Sequence, residues 1–200
     1  MTISENTSEP IIWLSDGKVG LGPFDSALAE SYWRWESDPR VRVGYGQQTP
    51  ESLEERIANV AIQVKNTMHS ARFTIYDLSG DEPVPVGTTT LEIDHRQRSA
   101  EFFILIGPAE NRGRGIGSAA TRLTLDYGFH VTNLRCIYLS VLAPNVAGVK
   151  AYEKAGFRQI GERRQSGYWA GEPCNEVLMD AIPADFPGLS VVKQQVNESR

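Results

Sequence analysis

Three glycines alternate with other residues in Arg112-Gly113-Arg114-Gly115-Ile116-Gly117-Ser118, between an apolar strand-like run and a run of helical periodicity. Glycine tolerates positive φ and lets the backbone come close to a ligand. The first-turn amides of a helix lack an intrahelical acceptor, and the helix dipole favours an anion beside them. Arg112 and Arg114 add positive charge and Ser118 adds a hydroxyl, so this chemistry suits a pyrophosphate. A P-loop would need Gly-Lys-Ser/Thr, and no lysine follows Gly117. A dinucleotide fingerprint would need a third glycine where Ser118 stands and an early βαβ unit, whereas this loop lies past mid-chain. The bland alternative is a flexible loop leading into a helix.

Other reactive side chains form no local constellation. Cys136 sits in a strand-like apolar run and reads as core; Cys174 sits in a Gly/Pro-flanked stretch and reads as a free thiol in a loop. His69, His95 and His130 are too far apart in sequence for a zinc motif, so no metal is expected. Glu92 and Asp94 alternate with Leu91 and Ile93 and so share one strand face, either solvent or a site for an amine. The 200 residues carry a net charge of −5, which argues against a nucleic-acid partner and suits a cationic one. No apolar run approaches a membrane span, and the polar N-terminus does not read as a signal peptide, so the expected location is the cytoplasm.

The elements that must position the loop follow from periodicity. Apolar pieces around Asp16-Gly17 predict a hairpin over Ile11 to Leu21. Asp25 to Glu36 reads as a helix with Leu28, Tyr32 and Trp35 on one face, ended by Asp38-Pro39. Thr49-Pro50 reads as the start of a second helix burying Leu53, Ile57, Val60, Val64 and Met68. Ala71 to Asp77, Val86 to Asp94 and Ser99 to Ile106 read as an antiparallel meander. A helix to about His130 buries Ile116, Ala120, Leu123 and Tyr127. Then come a strand over Cys136 to Leu142, a short helix after Pro144-Asn145 closed by Gly156, and strands over Phe157 to Glu162 and Val177 to Ile182. The expected class is α+β around one mixed sheet. Residues 1–10 read as a disordered N-terminus, 11–182 as one domain, and 183–200 as a fraying tail.

The order of several short motifs carries a resemblance. Arg112-x-x-Gly115-x-Gly117 is followed by Asn145 and then by Tyr152-Glu153-Lys154-Ala155-Gly156-Phe157. Upstream lie Trp35-x-x-Asp38-Pro39 and the turn Gln97-Arg98-Ser99-Ala100-Glu101. Together they resemble the GNAT superfamily of N-acetyltransferases, in particular its Rim-type branch, whose members modify protein N-termini, polyamines and small amines. The resemblance covers roughly residues 11 to 182. It implies a mixed, mostly antiparallel sheet with helices on both faces and a V-shaped splay between two parallel strands. It also implies an enzyme that moves an acetyl group from acetyl-CoA to a primary amine of a small molecule or a peptide N-terminus. Relatives of this kind are often homodimers. The alternative is a catalytically degenerate module that binds CoA or another ligand without turnover.

By the same resemblance, backbone groups of Phe103, Ile104, Leu105 and Ile106 would bond the pantetheine arm. Arg112, Gly113, Arg114, Gly115, Ile116, Gly117 and Ser118 would hold the pyrophosphate. Asn145 would bond pantetheine, cap the following helix, or do both. Tyr152 matches the family's general acid, its alternative role being a core aromatic. Glu101 matches a position that serves some relatives as a base. Many Rim-type relatives carry Thr-Glu-Ala after the glycines where Ser118-Ala119-Ala120 stands here. Many also carry Ser, Arg or Ala shortly after the Asn, where this chain has Val146-Ala147-Gly148, which shifts weight to Tyr152. The acceptor site is expected from the N-terminal helices and the last hairpin, with Trp33, Tyr45, Glu92 and Tyr168 as its residues. Tyr32, Trp35 and Trp169 are further aromatic candidates, and Gly44-Tyr45-Gly46 reads as a lid.

Overall fold

A computed structural model describes residues 9–45, 49–65 and 67–198. Among the described residues, eight strands form one sheet: Leu14–Ser15 (β1), Val19–Pro23 (β2), Ser70–Asp77 (β3), Val84–Asp94 (β4), Ser99–Ile106 (β5), Cys136–Leu142 (β6), Arg158–Trp169 (β7) and Glu172–Ala181 (β8). Their order is β1-β2-β3-β4-β5-β6-β8-β7, and only β5 and β6 run parallel. The helices are Ala29–Glu36 (α1), Pro39–Tyr45 (α2), Leu53–Lys65 (α3), Ile116–His130 (α4), Val146–Ala155 (α5) and Val191–Glu198 (α6).

The parallel pair follows from α4. A strand that returns through a helical crossover to its neighbour must run parallel to it. β5 and β6 pair only at Ser99↔Cys136, Ala100↔Ile137 and Glu101↔Tyr138. Beyond that point β5 stays with β4 as far as Gly87↔Ile106, while β6 stays with β8 as far as Leu142↔Glu176. The sheet therefore opens into a V between Phe102–Ile106 and Leu139–Leu142.

α4 spans both halves of the sheet on one face. Its Ala120 and Leu123 pack with Leu21, Phe73 and Ile75, and its Leu125 and Phe129 with Phe102, Ile137 and Met179. Gly128 permits the close approach, since a Cβ there would lie 2.5 Å from Ile137 Cδ1. On the other face, Tyr32 and Val60 join α1 to α3. The Tyr32 hydroxyl shares a 2.6 Å hydrogen bond with Thr74 Oγ1, and Thr74 points away from the neighbouring Phe73 and Ile75 by strand alternation.

Several local readings change. Asp38-Pro39 ends α1 but also starts α2, because proline at the first helical position loses no hydrogen bond. α3 is capped by Ser52, not Thr49: Ser52 Oγ accepts from Glu55 N, and Glu55 Oε2 accepts from Ser52 N, a reciprocal capping box. Val60 is buried on α3, while Ile57 and Val64 are exposed, because α1 covers a narrower stripe than the apolar spacing suggests; Met68 lies past the end of α3 and is exposed. Cys174 lies in β8 opposite Gly167 rather than in a loop, and Cys136 is only half-buried. β7 and β8 extend beyond the expected strands into a long hairpin whose turn, Ala170-Gly171, has two positive φ angles.

The stretch from Pro183 is the largest difference. Its helix α6 docks on α4 through Asp126, which is 1% exposed. Asp126 Oδ1 accepts from Ser190 Oγ at 2.6 Å and lies 2.7 Å from His130 Nδ1, while Oδ2 accepts from Val191 N at 2.6 Å. A buried carboxylate from another helix thus supplies part of the N-cap of α6. Asp126→Ala leaves those donors without an acceptor and should cost about 2–4 kcal/mol. Urea unfolding should show that loss, and hydrogen exchange should show α6 amides deprotected; a loss below about 0.5 kcal/mol would count against the anchor.

Candidate functional site

The V forms a cleft of about 760 Å³. Phe102–Ile106 line one wall and Leu139–Leu142 the other. Past Glu101 and Tyr138 neither strand has a partner across the gap, so the facing backbone donors and acceptors are left for water or a ligand. Arg112, Gly113, Gly115, Gly117 and Ser118 line the open end, α5 contributes Asn145, Lys150, Tyr152 and Lys154, and α2 contributes Arg40, Val41 and Gly44. Trp169 and Glu176 come from the β7–β8 hairpin.

The glycine loop has the conformation its composition requires. Gly113 (φ 76°) and Gly115 (φ 84°) are left-handed, and a Cβ at either would meet nothing within 4 Å. Glycine is there for backbone conformation and leaves open space in front of the loop. Gly115 caps α4 with no side-chain acceptor, so the first-turn amides remain available. At the root of the loop, Trp35 lies against Gly107: a Cβ at Gly107 would sit 2.1 Å from Trp35 Cγ.

The two arginines separate. Arg112 lines the cleft, donates to Gly107 O at 3.3 Å, and lies 3.9 Å from Asp38 Oδ2. Asp38 is held down at about 2, chiefly by the Arg40 guanidinium and amide that donate to it, with Arg112 adding to the effect. Arg114 instead pairs with Asp77 at 2.7 Å and with Asn111 Oδ1 at 2.7 Å, and its side chain is not on the cleft wall. Ile116 is a core side chain, 4% exposed. Ser118 Oγ donates to Ala151 O at 3.2 Å and ties α4 to α5. Asn145 caps α5, its Oδ1 accepting from Gly148 N at 3.0 Å, and also lines the cleft.

Tyr152 lies on the cleft with its ring edge-on to Phe102 and Phe157, at 6.1 Å and 6.0 Å between centroids. Burial pushes its hydroxyl up to about 12, so it stays protonated across the physiological range. Its hydroxyl has no hydrogen-bond partner among the described residues. Glu101 is off the cleft wall, at the base of the V, opposite Glu92 on β4 and Tyr138 on β6. Burial raises the Tyr138 hydroxyl, and the charges of Glu101 and Asp94 raise it further.

The other expected acceptor residues are not gathered at the cleft. Glu92 pairs with Arg72 at 2.6 Å on the exposed sheet face. Trp33 Nε1 donates to Glu51 O at 2.8 Å and fixes the segment before α3. Tyr168 is 61% exposed, and Tyr32 is core. The Tyr45 side chain and Gly46 lie outside the described residues; Gly44 belongs to α2. Sequence reasoning missed Arg40, Val41, Lys150, Lys154 and Glu176. The α2 residues were signalled by Pro39 as a first helical residue, and the lysines by their i,i+4 spacing on α5. Glu176 had no local signal. Among the described residues no group of three His, Cys, Asp or Glu could hold a metal, and no helix is long and apolar enough to cross a membrane.

A sheet split between two parallel strands, with a glycine loop and a helix N-terminus at its open end, defines the acyl-CoA-dependent transferase fold. Residues 18–158 match the family model described as the acetyltransferase (GNAT) domain, and the chain belongs to that family. Among curated proteins it is 39% identical over 109 residues to the spermidine N(1)-acetyltransferase of Escherichia coli K12, covering 52% of this chain and 58% of that protein. It is 42% identical over 71 residues to the corresponding enzyme of Vibrio cholerae, covering 36% and 40%. The chain thus matches 58% of the length of the first relative and 40% of the second. The crystal structure of spermidine N-acetyltransferase from Vibrio cholerae in complex with CoA and spermine has the same fold, with TM-score 0.76 and 23% identity, covering 85% of this chain and 98% of that one.

Left-handed backbone at Gly115 and helical backbone at Gly117 separate two substitutions. Gly115→Ala should cost about 1–2 kcal/mol through strain alone. Gly117→Ala has its nearest neighbour at 3.8 Å and should be neutral or stabilising. Chemical denaturation of the two variants checks the order, and a reversed order would contradict the loop conformation.

Proposed function

We propose that this chain is an N-acetyltransferase that moves an acetyl group from acetyl-CoA to a primary amine of a small molecule, with linear polyamines as the favoured acceptors within the Rim-type branch. The observation that carries the reading is the abrupt end of β5–β6 pairing at Glu101↔Tyr138, with the glycine loop at the open end and Tyr152 facing in. The naming of these relatives as spermidine N(1)-acetyltransferases and the acidic net charge support the acceptor class.

The residues present fit acetyl-CoA. Unpaired strand edges of Phe103–Ile106 suit an amide-rich arm, and the first-turn amides of α4 with Arg112 suit a pyrophosphate. Bound there, acetyl-CoA supplies an activated thioester. A backbone amide on the β5 edge would donate to the thioester carbonyl. Tyr152 would donate a hydrogen bond to sulfur as negative charge builds on it. Burial pushes the Tyr152 hydroxyl up to about 12, so it would keep its proton until charge builds on sulfur and then act as general acid to the departing thiolate. The cleft would supply the alignment. Glu101 at the base of the V is the proposed acceptor, through water, for the proton that the amine loses. Residues 11–182 are proposed to act as one domain, in a homodimer located in the cytoplasm.

The test is thiol release from acetyl-CoA against polyamines, aminoglycosides, amino acids and short peptides. Release with spermidine-like amines supports the proposal, and absence of acetyl-CoA binding overturns it. Arg112→Ala should weaken acetyl-CoA about tenfold by calorimetry, roughly 1.4 kcal/mol, and unchanged affinity would remove the loop assignment. Tyr152→Phe should lower kcat about 10–100-fold with acetyl-CoA affinity close to wild type; a fully active variant would exclude its role.

A further inference from the structure

The β7–β8 hairpin carries a carboxylate whose support has no role in the chemistry above. Glu176 lies on the cleft wall, directly opposite Leu142 at the open end of β6. Its Oε2 accepts from Ser166 Oγ at 2.7 Å and pairs with Arg163 Nη2 at 3.1 Å. Its Oε1 has no partner among the described residues. Ser166 reaches Glu176 only because β7 is bulged: the register jumps from Arg163↔Glu176 to Gly167↔Cys174, and Gln165 takes a positive φ of 51°. Asn175 holds that bulge, accepting from Gln165 N at 2.9 Å and donating to Glu162 Oε1 at 2.8 Å. Bulges of this kind re-aim side chains beside active sites. Gly167 then seats the hairpin on β6, since a Cβ there would fall 2.3 Å from Leu142 Cδ2.

Two things follow from this arrangement. The carboxylate is fixed through one oxygen while the other is free. Trp169, further along the same hairpin, puts an indole on the same cleft. A carboxylate on a cleft wall recognises a cation by charge, while the Trp169 ring lines the wall farther along the hairpin, at the level of Glu172. Arg163 pairs with only one of its oxygens, and with an arginine side chain 57% exposed that pair is weak. The lysines of the cleft sit on α5, where Lys150 adjoins the Ala151 that accepts from Ser118 of α4.

The geometry points to Glu176 as the subsite for the second, unreacted ammonium of a polycationic acceptor. The reacting amine must be neutral to attack, whereas a distal amine stays protonated and needs a counter-charge. Glu176 would thus be a specificity-determining residue that separates di- and polyamines from monoamines. This rests on the acyl-transfer reading for the first amine, but binding of the second cation does not require turnover.

The experiment is paired. Calorimetry measures spermidine binding to the protein saturated with CoA, for wild type and Glu176→Gln, which keeps the shape and the Ser166 contact. The expected result is a tenfold weaker Kd in the variant; equal affinities, or no binding to wild type, overturn the subsite. Kinetics then compares spermidine with butylamine. The ratio of their kcat/KM values should fall about tenfold in Glu176→Gln, through KM rather than kcat, and an unchanged ratio overturns the proposal. Ser166→Ala, which frees the carboxylate, should lower the ratio in the same direction by a smaller factor. Absence of thiol release by wild type with either amine would sink the transferase reading alone, and the calorimetry would still decide the subsite.

Discussion

The structure depends on one hydrogen-bond ladder stopping early. β5 pairs with β4 along one edge and with β6 along the other, and β6 in turn pairs with β8 along its far edge. Beyond Glu101 and Tyr138 the β5–β6 ladder ends, while the antiparallel ladders to β4 and β8 continue for five and four more residue pairs respectively. Sheet twist then carries the two halves apart. A gap in a sheet normally exposes unpaired amides and carbonyls at a cost comparable to lost hydrogen bonds. Here the gap opens into a cleft of about 760 Å³, and those groups face it, available to a ligand. The helices that cover the sheet do not close it: α4 crosses the join below the opening, and α5 begins only after β6 has ended.

Everything at the open end is arranged around that gap. The loop leaving β5 must turn at once into α4, which two left-handed glycines allow, and Trp35 on Gly107 fixes the direction in which it leaves. The strand leaving β6 must turn into α5, which Asn145 caps. Ser118 and Ala151 join the two helices near their starts. Tyr152 then falls two turns along α5, where Phe102 and Phe157 hold its ring.

Legibility in the sequence followed locality. The glycine loop, the Asn145 cap, the Gly156 terminus and the limits of β6 are set by residues within one turn of each other, and the structure agrees with each. The split sheet was legible only through resemblance, because no residue marks where Glu101↔Tyr138 ends a ladder. α2 was missed because proline both ends and starts helices, and the neighbouring residues decide which. The ion pair of Glu92 was not legible because its partner, Arg72, is twenty residues away on another strand. Glu176 depends on a bulge ten residues before it, and α6 on a buried aspartate in α4 more than sixty residues before it. Periodicity records neither contact.

The pair Arg112 and Arg114 shows why charge counting in a loop misleads. Two arginines one residue apart seem to double the attraction for an anion. A segment with left-handed glycines at both Gly113 and Gly115 has little intrinsic preference for any one shape, however, and an unrestrained loop would lose much of its binding energy to ordering. Arg114 removes that freedom: its guanidinium spans Asp77 on β3, Asn111 before the loop and Ser79 beyond β3. Arg112 keeps its side chain on the cleft, with Asp38 close enough to steady it but at 3.9 Å too far for a tight pair. One arginine thus sets the shape of the loop and the other carries its charge. The separation depends on β3 lying under the loop, which a reading of the loop alone does not contain.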